Sequence, residues 1–122
     1  MRNQNSKVRI TKRKLQKCEG VCRTFCDLQY AYANILEKDD SVISFQCNVP
    51  LTDLEEDGSY TTDFVITNDK GEIAVRECVL RDLIAKPKNV RLLEASRRYW
   101  LHRGITDWGI VTNAKSWVDP VQ

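Results

Sequence analysis

Apolar residues recur along this chain at two different spacings. Between residues 22 and 37 they fall at Cys22, Phe25, Cys26, Ala33 and Leu36, the three-and-four step of a helix with one buried stripe. Gln29 interrupts that stripe, and because an unsatisfied buried polar group costs about 1–3 kcal/mol, its amide needs a partner. Residues 89–103 repeat the helical step, with Leu92, Leu93, Ser96, Tyr99 and Trp100 inside and Arg91, Arg98 and Arg103 outside. Pro87 suits the first turn of this helix and Gly104 its end. Between the two helices the spacing shortens to two. Residues 41–47 form a short β-rich run that residues 49–51 continue or pair with, and residues 60–67 alternate aromatic and β-branched side chains. Asn68-Asp69-Lys70-Gly71 follows, a hairpin signal in which a type I turn closes on a left-handed glycine. Residues 72–80 are the return strand, 81–88 a polar connection and 107–112 a last strand. Helix, three or four strands, helix, strand predicts an α/β fold with a mixed central sheet flanked by helices.

The chain of 122 residues is 42% apolar, enough for one modest core. No apolar run is long enough to span a membrane, and residues 1–17 are charged where an export signal is apolar, so the expected setting is cytoplasmic, with no membrane partner. The net charge of +2 conceals a strong asymmetry. Residues 1–17 hold seven basic side chains, Lys12, Arg13, Lys14 and Lys17 among them, and no acid. Residues 18–80 hold four basic against thirteen acidic, and residues 81–122 eight basic against four acidic. Basic ends around an acidic middle suit a polyphosphate partner, with carboxylates kept for a cation; solvated surface charge is the plainer explanation. Residues 1–20 are expected to be a loosely attached basic arm and residues 21–122 the folded domain, with an acidic loop at 53–59.

Cys18, Cys22 and Cys26 repeat every four residues, which on a helix would align three thiols. Structural zinc sites use four ligands in paired short spacings, and His102 is the single histidine, so the spacing favours core packing over zinc. With no export signal, five cysteines do not suggest a disulfide framework either. A cysteine enzyme using Cys78 and His102 has no legible activating neighbour for the thiol.

The hairpin carries the sharpest chemical signal. If the loop is the three-residue Asp69-Lys70-Gly71 type, Asn68 pairs with Glu72, and counting outward sets Asp63 opposite Glu77. Directly opposed residues have Cβ atoms about 4.5–5.5 Å apart, where like charges destabilise the pair. Val65, Ile73, Val75 and Val79 share that face, so the acids belong under a helix. A divalent cation would account for them, since Mg2+ is held by one or two carboxylates with water and phosphate oxygens. Another turn type, a one-residue slip, or neutralisation by Arg76 or Arg81 would account for them without metal.

Tyr60-Thr61-Thr62-Asp63-Phe64, the strand holding Glu77, and the helix ending in Tyr99-Trp100 before Gly104 resemble the N-terminal domain of TnsA-type transposon endonucleases, over about residues 20–115. The resemblance implies a restriction-endonuclease-like core and Mg2+ (or Mn2+) dependent cleavage of double-stranded DNA beside a transposase subunit. It places the metal-binding aspartate at Asp63 and the second acidic or amide position at Glu77. The family's helix acid falls at Gln29 and its lysine at Val79, so two of the four positions depart. Arg81, two residues beyond Val79, is the candidate replacement cation, with Lys86 or Lys88 as alternatives. The family's further C-terminal domain is not expected within these residues. The expectation is thus a metal-dependent endonuclease subunit with catalytic positions Asp63, Glu77, Gln29 and Arg81 and DNA contacts from Lys12, Arg13, Lys14, Lys17, Arg91, Arg98 and Arg103. The alternative is an inactive relative that binds DNA or a transposase.

Overall fold

The computed structural model describes residues 10–52 and 60–113. Along the chain these form β1 (Thr11–Arg13), β2 (Cys22–Thr24), α1 (Asp27–Lys38), β3 (Val42–Leu51), β4 (Tyr60–Asn68), β5 (Ile73–Cys78), a 3-10 turn (Arg81–Leu83), α2 (Pro87–His102) and β6 (Asp107–Val111). The main sheet has the order β3-β4-β5-β6. It is antiparallel from β3 to β5 and parallel between β5 and β6, because α2 lies in the connection between the last two strands and returns the chain to the same end.

Alternation along the strands assigns each helix to one face of the sheet. Phe64 and Ile66 of β4 pack with Phe45 and with Ala33 and Leu36 of α1. Val65 and Val75 point the other way and pack with Leu92 and Trp100 of α2. The α1 side is closed by aromatic packing, with the Tyr32 and Phe64 rings edge to face at 5.4 Å. The expected α/β class with a mixed sheet between helices is what the chain adopts.

Local chemistry explains the element ends. Gly71 has φ +78°, and the Asn68 carboxamide oxygen accepts from the Lys70 and Glu72 N–H groups at 2.8 and 2.9 Å. Asn68 N–H donates to Glu72 O at 2.9 Å, so the loop is the three-residue kind and the count across the hairpin holds. At the end of α2, Gly104 has φ +84°. Gly104 and Ile105 there donate to Leu101 O and Trp100 O, both at 2.9 Å, which satisfies two terminal carbonyls.

Two expectations about the first forty residues change. From Ile10 onward the basic arm is part of the fold. Its strand β1 pairs with β2, Thr11 opposite Thr24 and Arg13 opposite Cys22, and the following segment bridges Cys18 to Phe45. High charge suggested disorder, yet half-buried Leu15 and buried Cys18 give this segment one apolar side, and Glu37 accepts from the Gln16 and Lys17 N–H groups. Arg2, Lys7 and Arg9 lie outside the described residues, as does the acidic loop at 53–59. The first helix begins at Asp27 rather than at residue 22, since Cys22 is spent on β2. Cys18, Cys22 and Cys26 therefore do not share a helix face. Residues 42–51 form one strand, so residues 49–51 continue the run before them and do not pair with it, and Asn48 within it has φ 56°.

Candidate functional site

The hairpin register sets Phe64 opposite Arg76 and Val65 opposite Val75, which by the same count brings Asp63 to Glu77. The Asp63 N–H donates to Glu77 Oε1 at 2.9 Å. Gln29 reaches the pair from α1 and donates through Nε2 to Asp63 Oδ1 at 2.8 Å. Its own Oε1 accepts from the Phe25 N–H at 2.7 Å, so both ends of the amide that interrupts the α1 stripe are engaged. Asp63 Oδ2 accepts from the Cys78 N–H at 2.7 Å. Glu77 Oε2 accepts from the Ser96 hydroxyl at 2.7 Å, and Ser96 Oγ accepts in turn from Trp108 Nε1 at 3.0 Å. Trp100 Nε1 donates to the hydroxyl of the adjoining Thr62 at 2.9 Å. The result is one buried polar network joining α1, both hairpin strands, α2 and β6.

Gln29, Asp63 and Glu77 are 4%, 3% and 0% exposed, and every carboxylate oxygen of the acidic pair already accepts a hydrogen bond from the protein. Burial, followed by the neighbouring Asp63 charge, pushes the Glu77 carboxyl up to about 8; hydrogen bonds from Ser96, the Asp63 N–H and Thr62 oppose that rise. Burial disfavours a carboxylate and a second carboxylate disfavours it further, so the site favours the neutral form of Glu77.

The basic residues considered from the sequence lie elsewhere. Val79, at the lysine position of the resemblance, is buried. Arg81 is exposed in the 3-10 turn, and its N–H donates to Asn113. Arg76 pairs with Asp107 at 2.8 Å on the opposite parity of β5, so it does not neutralise the acids. Lys86 and Lys88 are exposed around the start of α2. Cys78 is buried on the α1 side while His102 is exposed at the end of α2.

The basic residues divide between the two layers. Lys12 and Lys14 are exposed on and beside β1. Arg13 is turned inward, its guanidinium donating to Asn34 Oδ1 at 2.6 Å and lying 3.7 Å from the centre of the Tyr30 ring. Lys17 donates to Asp39 O at 2.7 Å. On the other side of the sheet Arg91, Arg98 and Arg103 are exposed on and after α2, with Arg103 stacked 3.6 Å from the Tyr99 ring centre. A continuous patch made from both sets is not formed, because the sheet separates them.

Sequence reasoning missed the role of Ser96 and Trp108, although a serine inside the apolar stripe of α2 was the available signal. It also missed a second cluster. Cys18, Cys22 and Cys47 converge, with all three sulfurs within 4.8 Å of one another. No spacing rule could have found Cys47, since it arrives from β3.

Comparison with models of known protein families finds no match, and a search of curated proteins finds none either.

Proposed function

We propose that this chain has a restriction-endonuclease-like core of the TnsA type and serves as a DNA-binding subunit in transposition or recombination, its acidic pair having a structural and not a hydrolytic role. The order helix, three-stranded meander, helix, parallel strand supports the fold part of this reading, as does the meeting of Gln29, Asp63 and Glu77 at the positions of the resemblance. The observation that carries the functional part is the closed network. A Mg2+ site needs ionised carboxylates with room for water and phosphate oxygens. Here all four oxygens accept internal hydrogen bonds and neither residue is open to solvent. These residues do not fit the ion, and no hydrolytic step is derived through it. DNA binding is supported by the exposed cations Lys12 and Lys14 of the β1 segment, which would release counterions from a duplex.

The decisive experiment needs neither substrate nor transposase: Mn2+ binding to the folded chain at pH 7, followed by electron paramagnetic resonance, in wild type and Asp63→Asn. The expected result is no bound Mn2+ in either protein at concentrations where nucleases are loaded. One Mn2+ per wild-type chain, lost in the variant, would overturn the structural reading and restore Asp63 and Glu77 as a metal-dependent nuclease site. Duplex binding is tested separately by fluorescence anisotropy at low salt, and its complete absence would remove the DNA-binding half.

A further inference from the structure

We propose that Cys18, Cys22 and Cys47 form a binding site for a thiophilic d10 cation, taken here as Zn2+, on the α1 side of the sheet and separate from the acidic pair. The Cys47 sulfur lies 3.6 Å from that of Cys18 and 3.6 Å from that of Cys22. The third separation is within 4.8 Å. A tetrahedron with Zn–S bonds of about 2.3 Å has sulfur–sulfur edges of about 3.8 Å, so the thiols already stand near the spacing the ion requires. They are too far apart to be a disulfide, whose S–S bond is about 2.05 Å, and none of the cysteines forms one.

Backbone contacts fix the three donors from independent segments. Glu19 N–H donates to Phe45 O at 2.8 Å and Phe45 N–H to Lys17 O at 2.9 Å, clamping the Cys18 segment against β3. Cys22 is held in the ladder of β2 opposite Arg13. Cys47 precedes Asn48, whose side chain donates to Arg23 O at 2.6 Å and so ties β3 back to β2. The hydrogen bonds of the sulfurs are long and weak: the two thiol–thiol contacts, and Cys18 Sγ to Glu19 O at 3.9 Å. Their capacity to bind is unspent, unlike that of Asp63 and Glu77.

Charge balance identifies the class of ion. Replacing three thiol protons by Zn2+ leaves one net negative charge, and the protons pass to the buffer. Arg13 stands ready to offset it. The guanidinium is anchored by Asn34 and Tyr30, and its buried Nε has no hydrogen-bond partner. The Cys47 thiol, donating to Cys22, and secondarily the Arg13 charge, pull the Cys22 thiol down to about 7 against the effect of burial. Burial holds Cys18 up at about 11, and Cys47 is raised as the donor to Cys22. Three protein ligands leave the fourth position to water. A hard cation such as Mg2+ has no affinity for such a donor set.

The test uses the full, reduced chain under anaerobic conditions, with Co2+ as a spectroscopic probe and then Zn2+. One equivalent of Co2+ should produce thiolate charge-transfer bands and the visible bands of a tetrahedral ion, and Zn2+ should bleach both. Cys47→Ser should weaken Zn2+ binding by more than the about 10- to 100-fold that loss of an outer partner of a ligand produces, while Cys26→Ser should leave it unchanged. Alkylation of the wild type mapped by mass spectrometry needs no variant to fold: Zn2+ should protect Cys18, Cys22 and Cys47 and not Cys26. Absence of cobalt bands in folded wild type, bands that persist in Cys47→Ser, or Zn2+ protection that spares none of the three cysteines would each overturn the site.

Discussion

The acidic pair and the thiol cluster are both sets of like titratable groups gathered in the interior, yet they differ in what their valences are doing. Asp63 and Glu77 have every oxygen engaged by a protein donor. Cys18, Cys22 and Cys47 engage mainly one another, at long range. Convergence of residues therefore does not by itself define a binding site. A group whose hydrogen-bonding capacity is exhausted is part of the scaffold, and a group with capacity left over, beside a guanidinium whose Nε has no acceptor among the described residues, is poised to take a ligand. The resemblance drew attention to the first set, and the residual valence draws it to the second.

The largest effect that could break this contrast is on stability. If the acids are scaffold, Asp63→Ala strips acceptors from the Gln29 amide and the Cys78 N–H at once. Each stranded buried donor costs about 1–3 kcal/mol, so urea denaturation should show a loss of about 3 kcal/mol or more. A pair retained for catalysis stores repulsion, and its removal would make the protein more stable. A stabilised Asp63→Ala would thus reverse the assignment of the two regions.

Next in size is a pH effect confined to Glu77. Its folded pKa of about 8 lies above the ordinary carboxyl value, so the native state binds the extra proton in the window between them. Stability from this group is complete below about pH 4.5 and is lost as pH rises towards 8, by at most about 1.4 kcal/mol per pH unit. Glu77→Gln mimics the neutral acid and should flatten that limb, with its advantage over wild type growing through neutral pH. Parallel curves for the two proteins between pH 5 and 8 would show that Glu77 is already ionised, and the pair would then be open to a cation.

Much of the carboxylate network was legible because its elements are local. A turn of four residues sets the register of the hairpin, and register sets which side chains oppose one another; Asn68 and Gly71 were sufficient to bring Asp63 to Glu77. Gln29 was legible as a polar break in an apolar helix. What the sequence did not disclose was saturation, because Ser96, the Cys78 N–H and Trp108 reach the acids only through tertiary packing. Arg81 failed as a replacement lysine for a related reason: strand parity carries it to the correct face only while the strand lasts, and β5 ends at Cys78. The thiol cluster was hidden altogether. A four-residue period in Cys18, Cys22 and Cys26 imitates a helix, whereas β1 recruits Cys22 into a ribbon and Cys47 comes from β3. The β1 segment itself was obscured by its charge, which outweighed an apolar alternation only a few residues long.

The smallest expected effect concerns the surfaces above the two regions, because the sheet keeps their basic residues apart. Lys12 and Lys14 lie over the thiol side and have no acidic side chain among residues 1–17. On the other layer Arg97 is neutralised by Glu94 at 2.7 Å and Arg103 is stacked on Tyr99, while Lys88, Arg91 and Arg98 are exposed on α2. A duplex is expected to favour the β1 side. Each phosphate contact contributes about 0.9 to the slope of log affinity against log salt. Replacing Lys12 and Lys14 together by alanine should lower that slope by about 2, whereas Arg91→Ala with Arg98→Ala should leave it within error. Anisotropy titrations across a range of salt concentrations measure both. Deleting residues 2–17 is not equivalent, since it would also remove β1, Leu15 and the Arg13 guanidinium beside the thiols. If the α2 pair carries the slope instead, DNA lies over the acidic network and the two regions exchange their functional order: the buried carboxylates would then face the nucleic acid side, and the thiol site would stand on the surface turned away from it.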